Sequence, residues 1–428
     1  MSSLSDRLRD VVASGVRRTE RERADVVPRA NPSDLENLLE GQWYGHCFIV
    51  ERHFAASTKY GRVPIGDLAE RLQSSAHEAP LVCGPSTALG ASGAAAGPPF
   101  IFFDLETTGL SGGAGTQAFL VGCGWFEADG GFTTRQYLLA RYSDERAMLA
   151  AVAEEFARAG AIVSFNGKSF DATVLETRYL FHRLEWDKSQ RPHIDVLHPA
   201  RRFWKEDECS LVVLEQQILG AWREDDVSGY EIPERYFHFV RSGDASPLAG
   251  VLEHNRRDLL SLAGLTARLL EIVRGGPDYA ENAREAMALG HMYERARTVE
   301  NVERAIAAFE RAVTLATSSR SRRAHLVTED ALHALAVVYR RVRRFDDAAK
   351  CWTALVESGC SAAIEREAIE ALAIHHEHRR RDLESARTFA LQNLVRARPG
   401  ARPEQGRKAR HRLERIERKL AGSGGRLL

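Results

Sequence analysis

The chain has 428 residues, of which 44% are hydrophobic and 28% charged, with 59 Lys plus Arg balanced by 59 Asp plus Glu. That length holds two or three domains with substantial cores, and the composition excludes a fibre or a wholly disordered chain. The even charge balance excludes a global field that draws the chain onto nucleic acid, so any such affinity must come from local patches.

The N-terminus, MSSLSDRLRDVVASGVRRTERER, has neither a long apolar core nor a cleavage site, and the sequence contains no run of about 18 apolar residues. Six cysteines, at 47, 83, 123, 209, 351 and 360, are scattered without a C-x-x-C pair, which argues against a disulfide framework and a zinc site. Reduced thiols and a cytoplasmic address with no membrane partner are expected. Leu4, Leu8, Val11 and Val12 stand at helical spacing, and Phe48 to Val50 and Val63 to Ile65 read as short strands around a polar turn. Residues 1–83 therefore read as an N-terminal accessory region. Residues 84–99, GPSTALGASGAAAGPP, form a Gly/Ala/Ser/Pro-rich stretch that buries little, the expected flexible linker.

After the linker the pattern turns to strands and helices. FIFFDLETTGL, from Phe100 to Leu110, reads as a buried strand ending in two acids and a turn. Strand side chains alternate faces, so Asp104 and Glu106 share one face while Leu105 points to the other. Two acids on one face repel and resist desolvation, and a divalent cation is the natural counter-charge. Strands are predicted at Ala118 to Gly122 and Phe132 to Leu139, joined by an Ala-Asp-Gly-Gly turn. A helix follows, capped around Ser143-Asp144-Glu145 and apolar at Met148, Leu149, Val152 and Phe156. The next strand, Ala161 to Phe165, runs into Asn166-Gly167-Lys168-Ser169-Phe170-Asp171, which puts Asp171 at a strand-to-helix junction. Val174, Leu175, Tyr179 and Leu180 mark the helix that follows. Further helices are predicted at Ser210 to Leu219 and, as one long element, at Pro247 to Val273, the latter containing His254 and Asp258.

D-x-E on a first strand, N-x-x-x-F-D after a later strand and an aspartate on a late helix resemble, in combination, the three motifs of the DEDD exonuclease superfamily. The resemblance covers about residues 98–275. FNGKSFD, ARRFWK, CSLVVLE and HNRRDLLSL look closest to the YprB-like branch of ribonuclease-H-like proteins. It implies an α/β fold over residues 100–275, a ribonuclease-H-like mixed sheet flanked by helices. It also implies a metal-dependent 3′-5′ exonuclease that hydrolyses phosphodiester bonds of DNA or RNA, with nucleic acid, and single-stranded 3′ ends above all, as its partner. Asp104, Glu106, Asp171 and Asp258 then supply hard oxygen ligands for two Mg²⁺ or Mn²⁺ ions, on the order of 4 Å apart.

His254 departs from the family pattern. One DEDD group carries a histidine five residues before the last aspartate and another a tyrosine four before it, whereas here a histidine stands at the four-residue spacing and position 253 is Glu. Residues i and i+4 share a helix face, so His254 and Asp258 can still address one pocket, with His254 as a candidate general base. Thr107, Asn166, Arg201, Arg202 and Lys205 are candidate substrate-binding residues, the last three interleaved with Phe203 and Trp204 as cations and stacking surfaces are in single-strand grooves. Asn166 reads equally well as a turn residue ahead of Asp171. Asp195, ending a short strand, reads as a turn or cap and is left outside the site.

Residues 276–395 are helical and repetitive. Leu289-Gly290 with Tyr293, Ala305, Phe309 and Ala312, then Leu335-Ala336 with Tyr339, Ala348, Trp352 and Leu355, resemble tetratricopeptide repeats, with a degenerate third copy near Leu372. The equivalent leucines lie 46 and 37 residues apart, against a usual repeat of about 34, so the loops are enlarged. Such stacks offer a surface for a protein partner. In the basic C-terminal tail, residues 396–428, the stretch from Arg396 to Lys419 holds ten basic residues and three acidic ones, suited to a nucleic-acid backbone or an acidic protein. The rival to an exonuclease is a catalytically weak or inactive nucleic-acid-binding scaffold that uses the repeats for protein partners, and retention of all four acids argues against it.

Overall fold

The computed structural model describes residues 32–83, 95–109, 115–185, 191–204, 207–318, 322–396 and 403–424. The helix expected at Leu4 to Val12, most of the expected linker and Lys205 fall outside them. The chain divides into two units, Met1–Arg274 and Gly275–Leu428.

The first unit is built on a seven-stranded mixed sheet. Its strands are β1 (Gln42–Tyr44), β2 (Cys47–Phe54), β5 (Phe100–Thr107), β6 (Ala118–Phe126), β7 (Phe132–Leu138), β8 (Ala161–Ser164) and β9 (His193–Asp195), in the order β1-β2-β7-β6-β5-β8-β9. β5 is an interior strand, antiparallel to β6 and parallel to β8, and β8 is parallel to β9. The run Phe100 to Phe103 is buried throughout, as befits a strand covered on both faces. Helix α1 (Pro32–Leu39) and α4 (Glu145–Ala157) contribute Leu35, Leu39, Met148, Leu149, Val152 and Phe156 to the same core as β5, β6 and β7.

The structure corrects the reading of residues 1–83 as an accessory region. β2 pairs with β7 from Phe48 to Phe54 and extends the main sheet, because its buried Cys47, Phe48 and Val50 have a core to join only there. Only Val63–Pro64 of the second expected strand is extended; as β4 it pairs with β3 (Lys59–Tyr60), and Ile65 already begins α2 (Ile65–Ser75). A short α3 (Ala79–Cys83) follows. The expected cap of α4 is also absent in that form, since Asp144 makes no side-chain cap bond and a single 3-10 turn, Tyr142–Asp144, leads into the helix instead.

Two crossings place helices against the strand ends. β8 leads to α5 (Asp171–Phe181), and β9 to α6 (Leu197–Phe203). The helix expected at Ser210 to Leu219 is four residues of α7 (Leu211–Leu214), capped by the Ser210 hydroxyl accepting from the Val213 amide at 3.4 Å, followed by a π turn at Glu215–Leu219. Then come α8 (Ile232–Ser242) and the long α9 (Leu248–Gly275). α9 lies close to β6 because residue 122 is glycine: a Cβ there would stand 2.1 Å from the Asn255 Oδ1.

The second unit is all helical: α10 (Ala283–Ala296), α11 (Val299–Thr317), α12 (Arg322–Arg341), α13 (Phe345–Ser358), α14 (Ala362–His375), α15 (Leu383–Arg396) and α16 (Pro403–Gly424), each packed on the next. Leu289, Tyr293, Phe309, Leu335, Tyr339, Trp352 and Leu372 are all buried. A Cβ at Gly290 would meet the Phe309 ring at 2.3 Å, so this glycine sets the approach of α10 to α11.

Gly122→Ala is expected to destabilise the first unit by about 2 kcal/mol, since the methyl has no space between β6 and a side chain fixed by two other hydrogen bonds. Urea denaturation followed by tryptophan fluorescence measures it; wild-type stability would mean that α9 is free to move away from the sheet.

Candidate active site

The C-terminal end of β5 carries Asp104 and Glu106 on one face, with Leu105 between them buried in the core. Asp104 is held by α9. The fully buried Asn255 donates from Nδ2 to the Asp104 carboxylate at 2.9 Å, while its Oδ1 accepts from Gln136 on β7 at 2.9 Å. Gln136 also donates to the Leu252 carbonyl at 2.7 Å. Thus strand β5, strand β7 and helix α9 fix the first carboxylate through one buried amide pair.

Asp171 opens α5 after the β8 turn. Asn166 sits in the left-handed region at φ 66°. Its amide and that of Lys168 donate to Asp195 at 2.8 and 3.1 Å, and the Leu197 amide donates to the same carboxylate at 3.1 Å. Asp195 therefore shapes the loop that aims Asp171. Gly167 is required there, because a Cβ would lie 2.4 Å from the Ser164 hydroxyl.

On α9, His254 and Asp258 share a face as their spacing demands, with His254 Nε2 3.5 Å from the Asp258 carboxylate. The other ring nitrogen, Nδ1, lies 2.9 Å from Asp226, a residue of the loop between the π turn and α8. Arg223 in the same loop is buried and bonds three acids: Glu215 at 2.6 and 2.8 Å, Asp226 at 3.0 Å, and Asp258. Glu215 is itself buried and accepts from Ser261 and from Tyr60 on β3, the latter at 3.3 Å.

Asp104, Glu106, Thr107, His254 and Asp258 line one cavity of about 400 Å³, walled by Phe170, Tyr230, Ile232 and Pro233. All four candidate ligand acids, the three on the cavity wall and Asp171, are pushed toward protonation. Burial raises Asp104 well above the ordinary carboxylate range, reinforced by Asp258, Glu106 and Asp171. Burial does the same to Glu106, reinforced by Asp258, Asp171 and Asp226. Asp171 rises to about 7, through burial and then Asp195. Asp258 is raised by burial even though Arg223 and His254 pull the other way. Among the described residues no group of three or more His, Cys, Asp or Glu side chains is gathered so as to hold a metal ion as it stands. The donor chemistry nevertheless fits a hard divalent cation, since four mutually repelling carboxylates with only one guanidinium beside them are short of positive charge.

Thr107 lines the cavity and donates its hydroxyl to the Gly109 carbonyl at 2.9 Å. Asn166 takes the turn role. Arg201 and Arg202 are exposed on α6 and do not line the cavity, and Lys205 lies outside the described residues. Phe203 and Trp204 are core residues, 0% and 5% exposed, so neither offers a stacking face. Sequence reasoning missed Asn255, Arg223, Asp226 and Glu215 and set Asp195 aside. The signal for Asn255 was its place beside His254 on an otherwise apolar stripe; Arg223 and Asp226 lie in a loop whose polar composition is that of any turn.

Residues 101–270 match the RNase H superfamily. Over 379 residues the chain is 30% identical to a Bacillus subtilis (strain 168) protein described as "Uncharacterized protein YprB", which spans 88% of this chain and 87% of that one.

The raised acids set a pH dependence. An acid whose folded pKa lies above its unfolded value favours folding while protonated, and that contribution is lost as pH rises through the folded value. For Asp171 the loss runs from about pH 4 to about 7. Without divalent cation, the Tm should therefore fall from about pH 4 to about pH 7, and Asp171→Asn should flatten the fall. Differential scanning calorimetry in chelator decides this, and an equally steep fall in the variant would place the titrating group elsewhere. A second expectation concerns His254. Asp226→Ala should shift its ring from the Nδ1-protonated tautomer, read by ¹⁵N NMR of selectively labelled protein with His254→Gln for assignment, and an unchanged tautomer would show that Asp226 does not orient the ring.

Proposed function

The chain belongs to the RNase H superfamily together with YprB, and from that premise we propose that it is a metal-dependent 3′-5′ exonuclease acting on DNA or RNA. A superfamily of this kind implies a nuclease-like activity on nucleic acid. The finer assignment is supported by one observation above all: strand β5 and helix α9 bring Asp104, Glu106 and Asp258 to one cavity, and the β8-α5 junction sets Asp171 within electrostatic reach of Asp104 and Glu106. Those four residues would hold Mg²⁺ or Mn²⁺, in two ions by the reading of four acids as two divalent sites. The ions, when bound, supply a Lewis acid for the phosphodiester and an activated water.

The chain's own residues account for the rest. Thr107 and Tyr230 on the cavity wall are placed to meet the terminal nucleotide, and His254, held on one side by Asp226, presents Nε2 toward the acids as an acceptor for the proton of the attacking water. An open cluster suits Mg²⁺, which retains waters and takes phosphate oxygens from substrate, so nucleic acid completes the site. Exposed Arg201 and Arg202 are offered to the strand beyond the cavity. We read the helical hairpins of the second unit as tetratricopeptide-like, on the strength of the Gly290 and Phe309 packing. A cytoplasmic setting is supported by six cysteines of which none forms a disulfide. No helix among the described residues is long and apolar enough to cross a membrane.

With oligonucleotides labelled at either end, the protein should shorten DNA or RNA from the 3′ end only when Mg²⁺ or Mn²⁺ is present, and Asp104→Asn should abolish shortening. Full rate in that variant would sink the assignment. His254→Ala should lower turnover by about a hundredfold, within the range for loss of a general base, with calorimetric Mn²⁺ affinity nearly unchanged. Near-normal turnover would make the histidine a structural residue.

A further inference from the structure

The neutral chain conceals a division of charge. Met1–Arg274 carries 30 Lys and Arg against 38 Asp and Glu, whereas Gly275–Leu428 carries 29 against 21. The unit with the acid cavity therefore repels a polyanion overall, and the helical unit attracts one.

Within the helical unit the basic residues of α16 fall into two sets. Ile416 and Leu413 bury against Ala386 and Ala390 of α15, and Arg415 and Lys419 bond Glu377 at 2.6 and 2.7 Å while Arg412 bonds Glu370 at 3.1 Å. These cations are already neutralised and pin the helix down. Arg407, Arg410 and Arg418 are exposed, and among the described residues none of them has an acidic partner; Arg410 and Arg418 bond only carbonyls of their own helix, each at 3.4 Å. At about 100° per residue the three lie on one outward stripe. Glu414 is the acid on that stripe, and Glu417 beside it is 3.8 Å from Arg387. From Arg407 to Arg418 the stripe runs about 16 Å, long enough to follow several consecutive phosphates.

We propose that the outward stripe of α16, carried by Arg407, Arg410 and Arg418, binds the phosphate backbone of the nucleic-acid strand. The inference rests on the nuclease reading, since a catalytic unit of net negative charge acting on a polyanion gains grip from a basic surface elsewhere in the chain, beyond what Arg201 and Arg202 offer. Arginines left unpaired along a stripe fit a repeating anion, and the contact carries no base preference. An acidic protein is the competing occupant.

The test uses the full chain carrying Asp104→Asn, so that the strand survives, and measures binding of fluorescein-labelled 30-nucleotide single-stranded DNA and RNA by anisotropy over a salt series. The variant Arg407→Glu/Arg410→Glu/Arg418→Glu should bind at least tenfold more weakly near physiological salt, and its slope of log affinity against log salt should be shallower by about 2, at roughly 0.7 per lost phosphate contact. In the chain with Asp104 intact, the triple variant should hydrolyse the p-nitrophenyl ester of thymidine 5′-monophosphate at the parental rate, because that substrate is a single nucleotide and offers the stripe no run of phosphates. The glutamine triple variant repeats the slope measurement without charge reversal. Unchanged affinity and slope in both triple variants would overturn the proposal and leave an acidic protein as the occupant. A chain that binds strands through α16 but cleaves nothing would overturn the nuclease reading alone, and one that neither binds nor cleaves would overturn both.

Discussion

Four carboxylates held together out of water are the constraint around which the first unit is arranged. Left to themselves Asp104, Glu106, Asp171 and Asp258 would separate or take up protons, and burial already pushes all of them that way. The fold resists by bracing three of the four from different elements. Asn255 and Gln136 hold Asp104 from inside the sheet, Asp195 braces the loop before Asp171, and Arg223 holds Asp258. None of these braces needs the cation. They keep the acids in place in its absence, at a cost in stability that a bound divalent ion would relieve.

That frame reaches into the N-terminal part of the chain. Arg62 donates its amide to the Leu219 carbonyl at 3.0 Å, and a Cβ at Gly61 would stand 2.2 Å from that same oxygen, so the β3-β4 turn is pressed against the π turn. Tyr60 bonds Ser261 at 2.5 Å and reaches Glu215, the buried acid that anchors Arg223. The widened turn at Glu215–Leu219 ends at Gly220 in the left-handed region, and from there begins the loop that carries Arg223, Asp226 and Tyr230. Residues 42–65 thus close the sheet at one side and support the site at the other.

The sequence made legible what periodicity and spacing control. The buried run before Asp104, the junction at Asp171 and the long helix bearing His254 and Asp258 each follow from local pattern, and all three elements stand where expected. The same holds for Leu289, Phe309, Leu335 and Trp352, buried in helix pairs. What stayed hidden depends on long-range pairing. β2 reads as an isolated strand because nothing local says that Phe48 lies opposite Leu138. Phe203 and Trp204 beside two arginines look like a nucleic-acid surface in one dimension, but the α6 helix turns both rings into the core. Arg223 and Asp226 are ordinary loop residues until the fold sets them 35 and 28 positions away in sequence from the α9 side chains they bond.

The position of His254 follows from the same charge balance. Four residues before Asp258 a histidine lies directly over the acid on the helix face, near enough that the ring would be drawn onto that carboxylate unless held from its other side. Asp226 provides the hold at 2.9 Å, but it adds a fifth carboxylate to an already crowded cluster, and its charge contributes to the rise of the Glu106 pKa. Arg223 offsets the addition, since it bonds Asp226 and Asp258 at once: with His254 it holds Asp226 below the ordinary carboxylate range, and it opposes the rise that burial imposes on Asp258. A buried guanidinium needs its own partner, and Glu215 is that partner through two parallel hydrogen bonds. The histidine at 254, the aspartate at 226, the arginine at 223 and the glutamate at 215 therefore stand or fall together: removing any one leaves an uncompensated charge beside the acids on β5.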